Sequence, residues 1–150
     1  MGQKAVERIL QEMQQRGITT HLRHKMEGFE ADKVITQGET FASDLTMFIL
    51  GMTGPAWTSN SGLNMSDGGF FQATEHCRVV GSEDVYVAGD AGSFPGPDWK
   101  LKQAHMADLQ AKAAAGNILR RMTDGEDSYT FKTELICIID TGYRHHGVQG

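Results

Sequence analysis

The sequence predicts an α/β fold, and three observations carry that reading. The run Leu45 to Leu50 is apolar nearly throughout and is cut by Gly51, the pattern of a strand buried on both faces of a parallel sheet. A second short apolar run, Val85 to Ala88, stops abruptly at Gly89-Asp90, as a strand does before a tight turn. Amphipathic stretches at helical spacing lie before the first run and after the second.

Taken in order, Ala5, Val6, Ile9, Leu10 and Met13 share one face between polar neighbours, so a helix is expected over about residues 3–16, with Gly17 ending it. Ile18 to Leu22, Met26 to Glu30 and Lys33 to Gln37 are short β-prone runs, with Gln37-Gly38 as a turn, and predict a small antiparallel excursion. After the Leu45 to Leu50 strand, Gly51 to Gly69 is rich in Gly, Ser, Asn and Thr and loses periodicity, as a loop or domain crossover does. Three short elements follow at Phe70 to Ala73, Cys77 to Val80 and Val85 to Ala88. The Gly-rich stretch Gly92 to Pro97 then leads to a helix expected over about residues 100–121. Ala104, Ala107, Ala111, Ala114 and Ile118 form its narrow packing stripe, and Arg120 and Arg121 suit its negative end. Thr123 to Ser128 reads as a polar link, Phe131 to Ile139 as another buried strand, and the tail from Gly142 as frayed.

Composition narrows the function classes. With 150 residues the chain can bury a real core, and 39% apolar against 22% charged residues is a globular balance. Lys and Arg number 14 against 19 Asp and Glu, for a net charge of -5. No basic field attracts phosphates, so nucleic acid is not the expected partner. The longest apolar run is far shorter than the ~20 residues a transmembrane helix needs, and no signal peptide pattern is visible. Two cysteines, Cys77 and Cys137, do not define a disulfide framework.

Several motifs are missing from the sequence. It contains no G-x-G-x-x-G turn, no Walker A loop and no G-x-S-x-G elbow. His21 with His24, and His145 with His146, lack neighbouring thiolates or carboxylates in a closed metal-site spacing, and read as solvated surface histidines. No metal is expected.

The segment with chemistry to offer is Val85-Tyr86-Val87-Ala88-Gly89-Asp90, followed by Lys102 near a helix start. A glycine lets backbone approach a polyol chain closely, and an aspartate beside it can accept hydrogen bonds from ribityl hydroxyls. The positive end of the following helix, with Lys102, would stabilise negative charge at the pyrimidine edge of a flavin. The plainer alternative is a strand, a turn capped by Asp90, and a helix.

Longer stretches extend the pattern: Gly51-Met52-Thr53-Gly54-Pro55-Ala56-Trp57, Ser66-Asp67-Gly68-Gly69-Phe70, the V-Y-V-A-G-D strand, Ser93-Phe94-Pro95-Gly96-Pro97-Asp98-Trp99 and Lys102-Gln103-Ala104-His105 before the Ala-rich helix. On these residues, from about Gly2 to Asp140, the chain resembles the sulfide:quinone oxidoreductase and flavocytochrome c sulfide dehydrogenase branch of the FAD-dependent pyridine nucleotide-disulfide oxidoreductases. The resemblance implies a partial Rossmann-like two-domain flavoprotein that corresponds to the C-terminal portion of such enzymes. It divides the chain into the end of a nucleotide-like domain at 1–54, part of an FAD domain at 55–125 and the start of a C-terminal domain at 126–150. FAD is the implied cofactor. Gly54, Pro55, Gly89, Asp90, Lys102, Gln103 and Ala104 are implied to hold it, with Asp90 on the ribityl chain and Lys102, Gln103 and Ala104 at the pyrimidine end.

Cys137 occupies the place where the resemblance implies a redox cysteine on the flavin's face, able to take up sulfide as a persulfide while two electrons pass into the oxidised flavin, in a cycle that needs a second sulfur supplied from elsewhere. By its apolar neighbours alone it reads as a small buried hydrophobe, as does Cys77. Phe94, Pro95 and Trp99 suit a flat quinone, or else simple loop packing, and Trp57 and Met52 are read the same way. The implied partners are a small sulfur donor and a quinone or cytochrome acceptor, with no transmembrane span. Cytoplasmic, peripheral-membrane and periplasmic locations all stay open. Two further readings stand beside this one: a type II NADH:quinone oxidoreductase, which does not need Cys137, and a catalytically silent module that self-associates as a homo-oligomer.

Overall fold

A computed structural model describes residues 3–97, 102–136 and 142. The chain is mixed α/β, with two helices and small sheets. It separates into two compact units, one formed mainly by Met1–Leu50 and one by Gly51–Cys137.

In the first unit, helix α1 spans Gln3–Gln15. Gly17 ends it at φ 71°, with Gly17 N donating to Gln14 O at 3.0 Å and Ile18 N to Met13 O at 2.9 Å. This is the paired closure of a helix whose C′ residue is left-handed. Ile18 is consumed by that closure, and residues 18–22 form no strand, contrary to expectation. The expected antiparallel excursion is a three-stranded meander of β1 (Met26–Glu30), β2 (Lys33–Thr36) and β3 (Glu39–Ala42). Gln37-Gly38 makes the β2–β3 turn, with Gly38 at φ 103°.

Residues 45–50 correct the first fold expectation. They form no strand, and Leu45, Met47, Ile49 and Leu50 are 72–95% exposed. Ser43 Oγ donates to Leu45 O at 2.9 Å, and although the Phe48 ring meets Phe29 of β1 at 4.9 Å, among the described residues no strand pairs with the run through its backbone. A buried parallel strand exists only through its neighbours, so apolar content alone does not make one.

The second unit holds the core: Ala73, Cys77, Val79, Val87, Phe94, Ala113 and Ala114, with Leu63, Phe71, Tyr86 and Phe131 packed against it. Its sheet is a short parallel pair, β4 (Phe71–Gln72) with β5 (Gly92–Ser93), supplemented by the bridges Ala73↔Val79 and Arg78↔Tyr86. The elements expected at 77–80 and 85–88 are therefore single bridges rather than full strands. Residues 131–136 are no strand either; their amides find side-chain acceptors on the second helix, with Glu134 N meeting Met106 Sδ at 3.4 Å. The rest of that expected strand, including Cys137, lies outside the described residues, as do Asp98, Trp99, His145 and His146.

Helix α2 spans Ala104–Arg121. Its buried face is Met106, Gln110, Ala113, Ala114 and Asn117. The expected stripe is thus rotated: Ala104 and Ala111 are exposed, Ile118 is 42% exposed, and only Ala114 of that set is buried. Two polar side chains, Gln110 and Asn117, explain the rotation. Asn117, fully buried, donates to His76 O and Tyr129 O and accepts from Ser128 N and Tyr129 N, all at 2.8–2.9 Å. A polar residue that satisfies four backbone groups belongs inside.

Candidate functional site

Val87 N donates to Cys77 O at 2.8 Å and brings the 85–88 run to the core. Gly89 then turns the chain at φ 67°, a left-handed conformation that costs an L side chain about 1–2 kcal/mol. Space demands glycine as well, since a Cβ there would meet Ala107 Cβ at 3.1 Å. The turn Gly89–Ala91 is a short 3-10 helix that packs on α2. Gly89 N donates to Gln110 Oε1 at 2.8 Å, which fixes the turn to the buried face of the helix.

Lys102 locks the other side. Its Nζ donates to Asp90 O at 2.5 Å and to Gly92 O at 2.9 Å, and stands 3.9 Å from the centre of the Phe70 ring. Burial lowers its pKa from the ordinary lysine value, and the Asp90 carboxylate opposes that shift. The ammonium thus clamps two backbone carbonyls and lies over the Phe70 ring.

Asp90 is exposed, and its carboxylate receives no hydrogen bond from the described residues. It does not cap the turn, so the plainer sequence alternative is not the arrangement found. Among the described residues the start of α2 has no side-chain cap either. Gln103 is its N-cap but gives the helix no side-chain cap; instead Gln103 Nε2 donates to Ile136 O at 2.8 Å and its Oε1 accepts from Ile136 N at 3.3 Å. Residue 136 is held there, one position before Cys137. Asp90, Lys102, Gln103, Ala104 and Ala107 line a groove at this helix start. An adjoining cleft of about 110 Å³ runs between Gly89, Asp90, Phe94, Lys102, Gln110 and Phe131. That is below the ~300–1,000 Å³ of pockets that swallow a drug-sized ligand, and suits gripping one edge of a larger molecule.

Five of the sequence-expected residues, Gly89, Asp90, Lys102, Gln103 and Ala104, therefore surround one groove and its cleft. Gly54 and Pro55 line neither. Gly54 sits where the chain crosses itself, with Gly54 N donating to Gly68 O at 2.8 Å, and a Cβ on it would fall 1.5 Å from Gly69 O. Pro55 caps the 3-10 helix Ala56–Asn60 and accepts from Thr58 Oγ1 at 2.6 Å. Gln110, Gly92 and Phe131 were not expected at the site. No sequence pattern marks Gln110, because its burial depends on the bond from Gly89 N.

Trp57, 66% exposed, tilts against Phe71, whereas Phe94 is buried edge-on to Phe131 at 5.4 Å and serves the core as well as the cleft wall. Cys77 is wholly buried at φ 65°, and burial pushes its thiol up to about 11, an inert structural cysteine. Among the described residues no helix is long and apolar enough to cross a membrane.

A family model described as pyridine nucleotide-disulphide oxidoreductase matches residues 1–111. The match takes in α1, the meander, the Gly54 crossing and every residue of the Asp90 groove; Cys137 lies beyond it. With three quarters of its length matched, the chain belongs to the pyridine nucleotide-disulphide oxidoreductase family, whose members are flavin-dependent oxidoreductases.

Proposed function

We propose that the chain provides flavin-holding residues of an FAD-dependent oxidoreductase that passes electrons from sulfide, or a related sulfur donor, to a quinone or cytochrome. One observation carries the cofactor part: an unclaimed carboxylate, Asp90, and an uncapped helix start share a groove. These are the groups an FAD fits. The carboxylate can accept from ribityl hydroxyls, and the free amides at the start of α2 favour negative charge at the ring's pyrimidine edge. Bound FAD supplies a two-electron carrier. The chain's own residues orient it: Lys102 sets the Asp90 turn and adds positive charge, Gln110 holds Gly89, and Gln103 ties residue 136 to the helix start. The Gly54 crossing stabilises the fold around the site without lining it.

The sulfur-donor part rests on Cys137 within Leu135-Ile136-Cys137-Ile138-Ile139-Asp140 and on the resemblance stated above. Joining the Cys137 sulfur to sulfide would remove two electrons, which the oxidised flavin would take up, with the sulfide proton released. The test is turnover of the holoenzyme with a soluble quinone and either sulfide or NADH as donor. Cys137→Ser is expected to abolish sulfide oxidation. NADH turnover with no sulfide activity in the parent, or full sulfide activity in the variant, would overturn the assignment.

A further inference from the structure

We propose that His21, His24 and Glu39, in the first unit, bind one divalent transition-metal ion of the zinc type. One potential donor atom from each residue lies within 4.8 Å of the other two, and His21 Nδ1 is 3.8 Å from Glu39 Oε2. Donors about 2.0–2.2 Å from a tetrahedral zinc stand roughly 3.4 Å apart, so closure needs only small side-chain rotations. His21 and Glu39 are free to make them, with side chains 39% and 51% exposed. Two imidazoles and one carboxylate leave a fourth position for water, the donor set of an open zinc site.

The backbone assembles these residues from two places. Arg23, at φ 67°, bends the loop between His21 and His24, and Gln37 N donating to Lys25 O at 2.8 Å ties that loop to the β2–β3 turn. Glu39 opens β3 opposite Thr36, and Phe41 follows two residues on, so its ring shares Glu39's face of the strand. The Phe41 ring meets both imidazoles edgewise, at 4.4 Å from His21 and 5.8 Å from His24.

Thr36 is what separates this cluster from an ordinary surface ion pair. It is buried, and its hydroxyl donates to Glu39 O at 2.7 Å. A hydroxyl has one proton, so the 3.3 Å contact with His24 Nδ1 has the imidazole N–H as donor. The neutral ring then keeps its lone pair on Nε2. Metal-ligating histidines are held in this manner by a partner on the other ring nitrogen. A His21–Glu39 pair alone would account for neither His24's tether nor the third donor.

The experiment is a Co²⁺ and Zn²⁺ titration of the full chain carrying His145→Gln and His146→Gln, which removes the tail imidazoles as a background. Binding of one Co²⁺, with a visible ligand-field band lacking sulfur charge transfer and displaced by Zn²⁺, is expected. His21→Gln, His24→Gln and Glu39→Gln should each weaken binding about tenfold or more, and Thr36→Val by a similar factor. Far-UV circular dichroism of the three surface variants should match the parent, and those three decide the matter even where Thr36→Val does not fold. A parent that binds no Co²⁺, or surface variants that bind it as tightly as the parent, overturns the proposal.

Discussion

Single side chains decide much of the second unit. Asn117 uses every donor and acceptor it has on the backbone of residues 76, 128 and 129, and so fixes α2 to two separate loops. Asp127, its side chain 7% exposed, pairs with Arg78 Nε at 2.9 Å and accepts from Tyr86 OH. Burial, helped by that bond, raises the Tyr86 hydroxyl to about 12. Cys77 makes a testable statement about pH. Its thiol is raised from 9.0 to about 11 by burial, so the folded state holds the proton more tightly than the unfolded chain does. The resulting stability is complete below about pH 9 and is lost as pH rises toward 11, a fall of at most ~3 kcal/mol. Urea midpoints of the parent and of Cys77→Ala across that window check it. The parent should lose stability there while the variant, keeping only the Tyr86 limb above pH 10, declines later; identical curves would contradict it.

At the scale of elements, backbone crossings matter more than helix propensity. Gly54 approaches Gly69 so closely that Gly54→Ala places a methyl 1.5 Å from a carbonyl oxygen, and a loss of about 3 kcal/mol or more is expected. Gly28→Ala is the contrast: its Cβ meets nothing within 4 Å, so a change under ~1 kcal/mol is expected. Chemical denaturation of the pair reads the difference directly. The same distinction between local and distant causes explains what the sequence revealed. Gly17 closing α1, the Gln37-Gly38 turn and the Gly89-Asp90 turn were legible because each depends on a few consecutive residues. Residues 45–50 were not, because a strand's hydrogen bonds come from elsewhere in the chain. The face of α2 was misjudged because it was read from the alanine stripe, whereas Gln110 and Asn117 are buried by bonds to backbone that no periodicity reveals. Glu39 came to His21 and His24 only through hairpin pairing, so the histidines alone read as solvated.

For the whole molecule, two features stand out, each contained within its own unit: the Asp90 groove and the His21, His24, Glu39 cluster. Family membership rests on residues 1–111 as a pattern, and the proposed flavin site rests on a carboxylate that accepts no hydrogen bond among the described residues. Asp90, Lys102 and Gln103 were legible at the sequence level because the apolar run, the glycine turn and the helix start are close together in the chain there. Gly54 and Pro55 entered by resemblance and are found at a crossing away from the groove. The central claim is that the Asp90 carboxylate and the start of α2 grip a flavin. Its most direct measurement is a titration of the purified chain with FAD, followed by visible absorption and flavin fluorescence, in the parent and in Asp90→Ala. The account predicts saturable binding that the substitution weakens about tenfold or more, near 1.4 kcal/mol at the least. A parent that leaves the flavin spectrum unchanged, or a variant that binds as tightly as the parent, would contradict it.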